Sequence, residues 1–380
     1  MAPDPEERRR YDRQMLLPGI GPQGQARLET AHALVIGVGA LGTVAAEALC
    51  RAGVGRLTLV DRDVVEWTNL QRQTLYEETD ARDGTPKALA AAARLNRVNR
   101  RVRVDALVRD FTPTVARYLI TAKPGVILDC TDNFETRYLV NDVSVWAGVP
   151  YVYAGAVGTV GMVRAVVPAG GVGVVTPCLR CVFDRPPPAG TAPTCDTAGV
   201  LGPAAGAAAL LQAGEAMKIL LGRNDLLRRG LVTMDLWSAG SDAVRVIDVG
   251  ERDAACPCCA GRVFEWLEAR AGAIAVRLCG RNAVQIASLG ACFIDEDDDA
   301  EAWEAEGRAG PADLARIGAR LRAHGDVLEG PSLVRCTLAH DRAEDGTAVE
   351  ITVFADGRTV VKGTQDAARA RSLVARYVGA

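Results

Sequence analysis

Four apolar residues, Ala33-Leu34-Val35-Ile36, run directly into the turn Gly37-Val38-Gly39-Ala40-Leu41-Gly42, and this junction constrains the chain more than any other stretch. The residues from Thr43 to Ala52 carry Val44, Ala48 and Leu49 at helical spacing, so the whole reads as strand, turn and helix. Each glycine has a separate task. Gly37 permits the tight turn, Gly39 lets backbone approach a phosphate, and Gly42 lets helix and strand pack closely. The helix start then offers free N–H groups and a positive dipole end to an anion. A second apolar strand, Arg56 to Val60, ends in Asp61. That carboxylate follows the glycines by about 20 residues, the distance at which a ribose hydroxyl is bound. The chain therefore opens by building a nucleotide site in an α/β fold.

The 380 residues provide for two domains, or for one large domain with an appendage. A hydrophobic share of 49% and a charged share of 24% are ordinary for a globular protein. The net charge of −3 gives no general attraction to nucleic acid or to an anionic membrane. No apolar run reaches the ~18 residues of a membrane span, and the polar, charged stretch Met1 to Arg10 is no secretory signal. A cytoplasmic location is expected, and the 11 cysteines are then expected as reduced thiols with metal or catalytic roles rather than as disulfides.

The chain continues in the same pattern. Arg8 to Gln14, with Tyr11 and Arg13, reads as a solvated helical segment. Asp61-Arg62-Asp63 and Asn69-Leu70-Gln71-Arg72-Gln73 form a polar stretch rich in groups that bind phosphate or base. Thr85 and Pro86 are expected to cap and open an alanine-rich helix, which puts Lys87 in its first turn. A cation is disfavoured there unless it faces an anion. Strands are expected over Val102–Ala106 and Gly125–Cys130, the latter running into Asp129-Cys130-Thr131-Asp132-Asn133 at a carboxyl end, where ligands bind in open α/β sheets. Tyr151–Ala156 and Val160–Val167 read as a hairpin, Gly170–Gly206 as a long functional loop, and Ala207–Leu221 as a helix. Two further strands, Leu231–Leu236 and Ala243–Val249, close the sheet. From about Val263 the composition changes, and 263–380 reads as a small α+β domain behind a first domain of 1–260.

The turn alone fits a nicotinamide-dependent dehydrogenase as well. Three cations beside it, Arg13, Arg72 and Lys87, suit a triphosphate better, and Asp132 can hold a magnesium ion through one carboxylate plus phosphate oxygens. Cys178-Leu179-Arg180-Cys181 and Cys256-Pro257-Cys258-Cys259 contain two CxxC pairs, Cys178 with Cys181 and Cys256 with Cys259. Together they supply the four thiolates of a structural zinc site, with Cys258 outside it. Cys195, unpaired in a polar loop, is a candidate nucleophile or an exposed cysteine without a role.

Taken in order, Arg10-Tyr11-Asp12-Arg13-Gln14, the glycine turn, Asp61-Arg62-Asp63, Asn69 to Gln73, Gly84 to Lys87, Asp129 to Asn133, the CxxC pairs and Cys195 to Val200 resemble the MoeB/ThiF family of adenylyltransferases, relatives of the ubiquitin-activating enzymes. The resemblance covers roughly residues 6 to 260. It implies a Rossmann-like, doubly wound, mostly parallel sheet with an antiparallel extension and a zinc-stapled loop. It also implies ATP-dependent adenylation of the C-terminal Gly-Gly carboxylate of a ubiquitin-like sulfur carrier, for molybdopterin or thiamine-type sulfur incorporation. By that resemblance Gly37, Gly39, Gly42, Asp61, Asp63, Asn69, Arg72, Gln73, Lys87, Asp132 and Asn133 form the nucleotide site. Asp61 takes the ribose, while Asn69, Arg72 and Lys87 take phosphates. Asp132 takes magnesium, Arg13 reaches across a homodimer, and Cys195 serves sulfur transfer or a covalent carrier link. Alternatives are an activator that forms a thioester through Cys195, and a nucleotide-binding scaffold without turnover. Some relatives continue into a rhodanese domain; 263–380 shows no cysteine loop of that kind, with Cys279-Gly280-Arg281 the nearest approach.

Overall fold

A computed structural model describes residues 9–170, 175–186, 198–240, 243–268, 275–278, 283–286, 312–343, 345–355 and 357–378. The chain divides into two compact units, Met1–Arg270 and Ala271–Ala380.

The first unit is ordered as α1 (Asp12–Met15), α2 (Gly21–Thr30), β1 (His32–Ile36), α3 (Ala40–Ala52), β2 (Arg56–Val60), α4 (Glu78–Asp83), α5 (Lys87–Val98), β3 (Arg103–Leu107), α6 (Pro113–Thr121), β4 (Val126–Asp129) and α7 (Phe134–Ala147). There follow β5 (Tyr151–Val157), β6 (Val160–Val166), α8 (Leu179–Val182), α9 (Gly202–Leu220), β7 (Leu231–Asp235), β8 (Val244–Ile247) and α10 (Glu265–Glu268). Its eight strands form one sheet in the order β3-β2-β1-β4-β5-β6-β7-β8. The pairs from β3 to β5 are parallel, and those from β5 to β8 are antiparallel. The chain winds outward from β1 to β3, then returns to lay β4 on the other side of β1. That reversal opens a crevice at the carboxyl ends of β1 and β4, where Ile36 stands opposite Asp129. Strands buried on both faces explain the continuous apolar runs: Ala33, Val35, Leu57, Leu59, Val126 and Leu128 all enter the main core.

Specific contacts and turn chemistry account for three departures from expectation. The segment around Tyr11 is not simply solvated. Tyr11 is buried, and its hydroxyl accepts a hydrogen bond from Asn99 Nδ2 at 2.9 Å. Its ring lies where any Cβ on Gly53 would stand 2.5 Å from Cζ, and Gly53 has φ +81°. The alanine-rich helix starts at Lys87 with Pro86 as N-cap, two residues past Thr85, because Pro86 bridges to Val64 and the Thr85 carbonyl accepts from Val65 N. Helix α9 begins at Gly202, inside the stretch expected as loop. Glycine content suggested a loop there, whereas Pro203 in the first turn and the alanines that follow favour a helix.

The second unit holds a six-stranded sheet in the order β11-β12-β13-β14-β10-β9, antiparallel throughout. Its strands are β9 (Ala275–Leu278), β10 (Ala283–Ile286), β11 (Gly325–Glu329), β12 (Leu333–Arg342), β13 (Ala348–Phe354) and β14 (Thr359–Lys362). Helices α11 (Leu314–Leu321) and α12 (Ala367–Tyr377) contribute Leu321, Ala370 and Leu373 to a separate core with Val334, Ile351 and Val361. Among the described residues no helix is long and apolar enough to cross a membrane.

Candidate active site and metal centre

The glycine turn is held by contacts that leave no room for side chains. A Cβ on Gly37, at φ +85°, would lie 2.8 Å from the Cys130 carbonyl, and one on Gly42 would lie 2.0 Å from the Gly37 carbonyl. Gly39 differs: a Cβ there would meet only Gln73 Nε2, at 3.7 Å. Gly39 is the N-cap of α3, so the open space faces the first-turn amides, which lack intrahelical acceptors. Gln73 is buried with its Oε1 unpartnered.

Asp61, at the carboxyl end of β2, braces this turn. Its Oδ2 accepts from Val38 N and its Oδ1 from Asp63 N, both at 2.7 Å. Burial pushes its carboxyl above the ordinary aspartate value, against the opposing pull of Lys87 and the two amides. A carboxylate has about four lone-pair sites, so it retains acceptor capacity. Lys87 is buried, reaches Asp63 Oδ2 at 3.2 Å through Nζ, and donates its own N–H to the Asp63 carbonyl at 2.8 Å. A cation at the first residue of α5 is thus matched by two aspartates rather than left against the helix dipole.

The segment between them curls through a short 3-10 turn, Trp67–Asn69. Asn69 is buried and its Oδ1 accepts from Glu66 N. Arg72 is half-buried and donates through Nη1 to the Thr68 carbonyl at 2.7 Å. After β4, Asp129 points inward: its Oδ1 accepts from Thr131 N and Oγ1, and burial raises its carboxyl. Asp132 is exposed, while Asn133 caps α7 by accepting from Thr136 N. Direct contacts thus join the glycine turn, Asp61, Asp63 and Lys87; Gln73 lies beside Gly39, and the adjacent strand end carries Asp132. Arg13 is exposed on α1, and no contact ties it to that group. Cys195 and Cys279 lie outside the described residues.

Sequence reasoning passed over Tyr76 and Gln212 and gave Arg62 no role of its own. Tyr76 is buried behind the turn, and its hydroxyl donates to the Val38 carbonyl at 2.5 Å. Gln212 of α9 ties β4 to β5 by donating to the Asp129 and Val152 carbonyls, both at 2.8 Å. Arg62 binds Asp110 at 2.6 Å. An aromatic directly after Leu75, at the end of a polar stretch, was the available signal for Tyr76.

A second cluster is built from Cys178 and Cys181 around α8, and Cys256 and Cys259 before α10. Their Sγ atoms all lie within 4.8 Å of one another. Separations of 3.9 Å for Cys178–Cys181, 3.6 Å for Cys178–Cys256 and 3.5 Å for Cys181–Cys259 fit the edge of about 3.8 Å of a tetrahedron with metal–sulfur bonds near 2.3 Å. Cys258 is not one of these four; it lies beside Cys178 and bonds to Asn141 and Asp142. Four thiolates around a divalent ion carry net negative charge, and the surroundings answer it. Arg252 Nε donates to Cys259 Sγ at 3.2 Å, and Arg164 is buried with Nε and Nη1 unpartnered. The donor set and the buried cation fit a four-sulfur metal site.

Comparison with known proteins gives the family of the chain. The ThiF family model matches residues 11–258. A protein named sulfur carrier protein ThiS adenylyltransferase, from Bacillus subtilis, is 40% identical over 97% of this chain and 99% of its own length. The similarity therefore runs through the C-terminal unit, which the sequence resemblance had left out. Sulfur carrier protein adenylyltransferase from Thermus thermophilus is 41% identical over 67% of this chain and 91% of its own. Adenylyltransferase and sulfurtransferase MOCS3 from Sus scrofa is 43% identical over 67% of this chain, which spans 53% of that relative's length. Among solved structures, E. coli MccB with MccA-N7isoASN shares the fold at a TM-score of 0.55 and 22% identity, over 66% of this chain and 74% of that one. The chain belongs to the ThiF family.

Proposed function

We propose that this protein uses ATP to adenylate the C-terminal Gly-Gly carboxylate of a ubiquitin-like sulfur carrier of the ThiS or MoaD kind. The observation that carries the reading is the convergence of open helix-start amides at Gly39, the braced Asp61 and the buried Lys87–Asp63 pair on one crevice, in a chain whose full-length relative is named for ThiS adenylylation. A carboxylate oxygen of the carrier bonds to the α-phosphorus, and the bond to pyrophosphate breaks. The products are an acyl-adenylate and pyrophosphate. The protein's task is positioning and charge stabilisation. The Gly39 amide and the first turn of α3 approach the phosphates. Lys87, Arg72 and Asn69 contact them, with Gln73 and Asn133 at the margin, and Asp61 takes the ribose. Asp132 holds magnesium, which would offset negative charge on the phosphate oxygens. Zinc in the four-thiolate site is structural. Arg13, exposed on an anchored segment, completes the site of a partner subunit in a homodimer. Cys195 takes part in sulfur transfer.

The test is ATP–pyrophosphate exchange with Gly-Gly-ending carriers supplied one at a time. Exchange dependent on one carrier establishes the reaction and separates a thiamine from a molybdopterin role. Exchange with none, in magnesium buffer and with zinc bound, overturns it. Within this reading Lys87→Met is expected to slow exchange about a hundredfold, because a buried charge-assisted contact of about 3 kcal/mol is removed. An exchange rate within threefold of the parent would remove Lys87 from the phosphate contacts.

A further inference from the structure

We infer that Tyr76 is a positioning residue that aims the Gly39 amide into the crevice by pinning the carbonyl of Val38. The Val38 residue is held from both sides. Its N–H goes to Asp61 Oδ2 at 2.7 Å, and its carbonyl accepts from the Tyr76 hydroxyl at 2.5 Å. The next peptide unit joins that carbonyl to the Gly39 N–H. A trans peptide is planar, with C=O and N–H on opposite sides. Holding the carbonyl toward buried Tyr76 therefore turns the Gly39 N–H away from Tyr76, at a residue with little packed against it. If that peptide flipped, a carbonyl oxygen would face an approaching phosphate in place of a donor, exchanging attraction for repulsion.

Tyr76 has one proton to give. The Lys87 carbonyl lies 3.3 Å from the same hydroxyl, a longer and secondary partner. The tyrosine thus connects the start of α5, which carries Lys87, to the glycine turn that α5 faces. The hydroxyl remains a donor at all physiological pH values, since burial and the nearby Asp61 and Asp63 raise its ionisation well above the ordinary tyrosine value. Nothing in the glycine pattern itself orients this peptide, because glycine permits both orientations.

The identity of the ligand as ATP rests on the adenylation reading, and the experiment separates the two. Tyr76→Phe removes only the hydroxyl. In the intact protein, calorimetric titration with magnesium and α,β-methylene-ATP is expected to give a dissociation constant about tenfold weaker than the parent's, the size of one lost hydrogen bond. In the exchange assay KM for ATP rises in parallel while kcat stays within about threefold, whereas a general structural defect would lower kcat through the active fraction. An unchanged dissociation constant in the folded variant overturns the inference, as does a parent protein that does not bind the analogue. A parent that binds the analogue yet supports no carrier-dependent exchange defeats adenylation, and the ratio of dissociation constants still decides the role of Tyr76.

Discussion

Cys178→Ser is expected to leave the purified protein without stoichiometric zinc and to lower its unfolding free energy by about 3–5 kcal/mol. Cys178 is buried between two of its partners, 3.9 Å from Cys181 and 3.6 Å from Cys256. A hydroxyl is a poor substitute for thiolate at a tetrahedral zinc. The cost has two parts. The metal no longer ties the stretch around α8 to the segment before α10, which frees a long loop in the unfolding balance. Arg164, buried with two nitrogens unpartnered, also loses the negative cluster beside it. Elemental analysis per chain and a urea melt measure both parts. Cys258→Ser is the matched comparison, because Cys258 is buried in the same segment and beside Cys178, yet lies outside the four-sulfur set and bonds to Asn141 and Asp142. It is expected to retain full zinc. If Cys178→Ser also keeps one zinc per chain, the four-thiolate assignment is wrong.

The parts of this molecule that were legible from the residues share a physical property: their chemistry is local. Strand, turn and helix around Gly37 follow from an apolar run and three glycines, and the structure reproduces them because the same short-range sterics act in the fold. The CxxC spacing fixes two thiols on one turn, so only the meeting of the two pairs had to be inferred. What was not legible depends on contacts far apart in the chain. Tyr11 reads as part of a solvated segment until Gly53 and Asn99 are brought to it. Gln212, in the middle of an apolar helix, has no local reason to exist, and its purpose is two carbonyls on β4 and β5. Strand β11 carries no strand signal in its sequence because its side chains are half-buried or exposed, leaving no apolar alternation to detect. In the candidate site, the residue types were readable but their division of labour was not. Asn133 has a helix to cap, and Asp61 braces a turn with both its oxygens. For either residue, nucleotide contact must be added to work already done inside the protein.

That division of labour gives the other large effect. Asp132→Ala is expected to reduce carrier-dependent exchange about a thousandfold, near 4 kcal/mol of transition-state stabilisation, while changing stability by no more than about 0.5 kcal/mol. Two aspartates flank the turn after β4, and their surroundings oppose each other. Asp129 is fully buried, is held by Thr131, and has its ionisation disfavoured by burial. Such a group is bound into the sheet end. Asp132, three positions on, is exposed at the same carboxyl end of the sheet, where one carboxylate plus phosphate oxygens suffice for magnesium. Exposure is why the fold should tolerate its loss, and the magnesium role is why catalysis should not. The two consequences are separable. Thermal melting reports the first, and exchange measured across a magnesium titration reports the second, with the variant expected to stay slow at every magnesium concentration. A variant that exchanges at the parent rate would release Asp132 from the mechanism. A variant that loses activity only in proportion to a lowered melting temperature would make it a structural residue, which its exposure argues against.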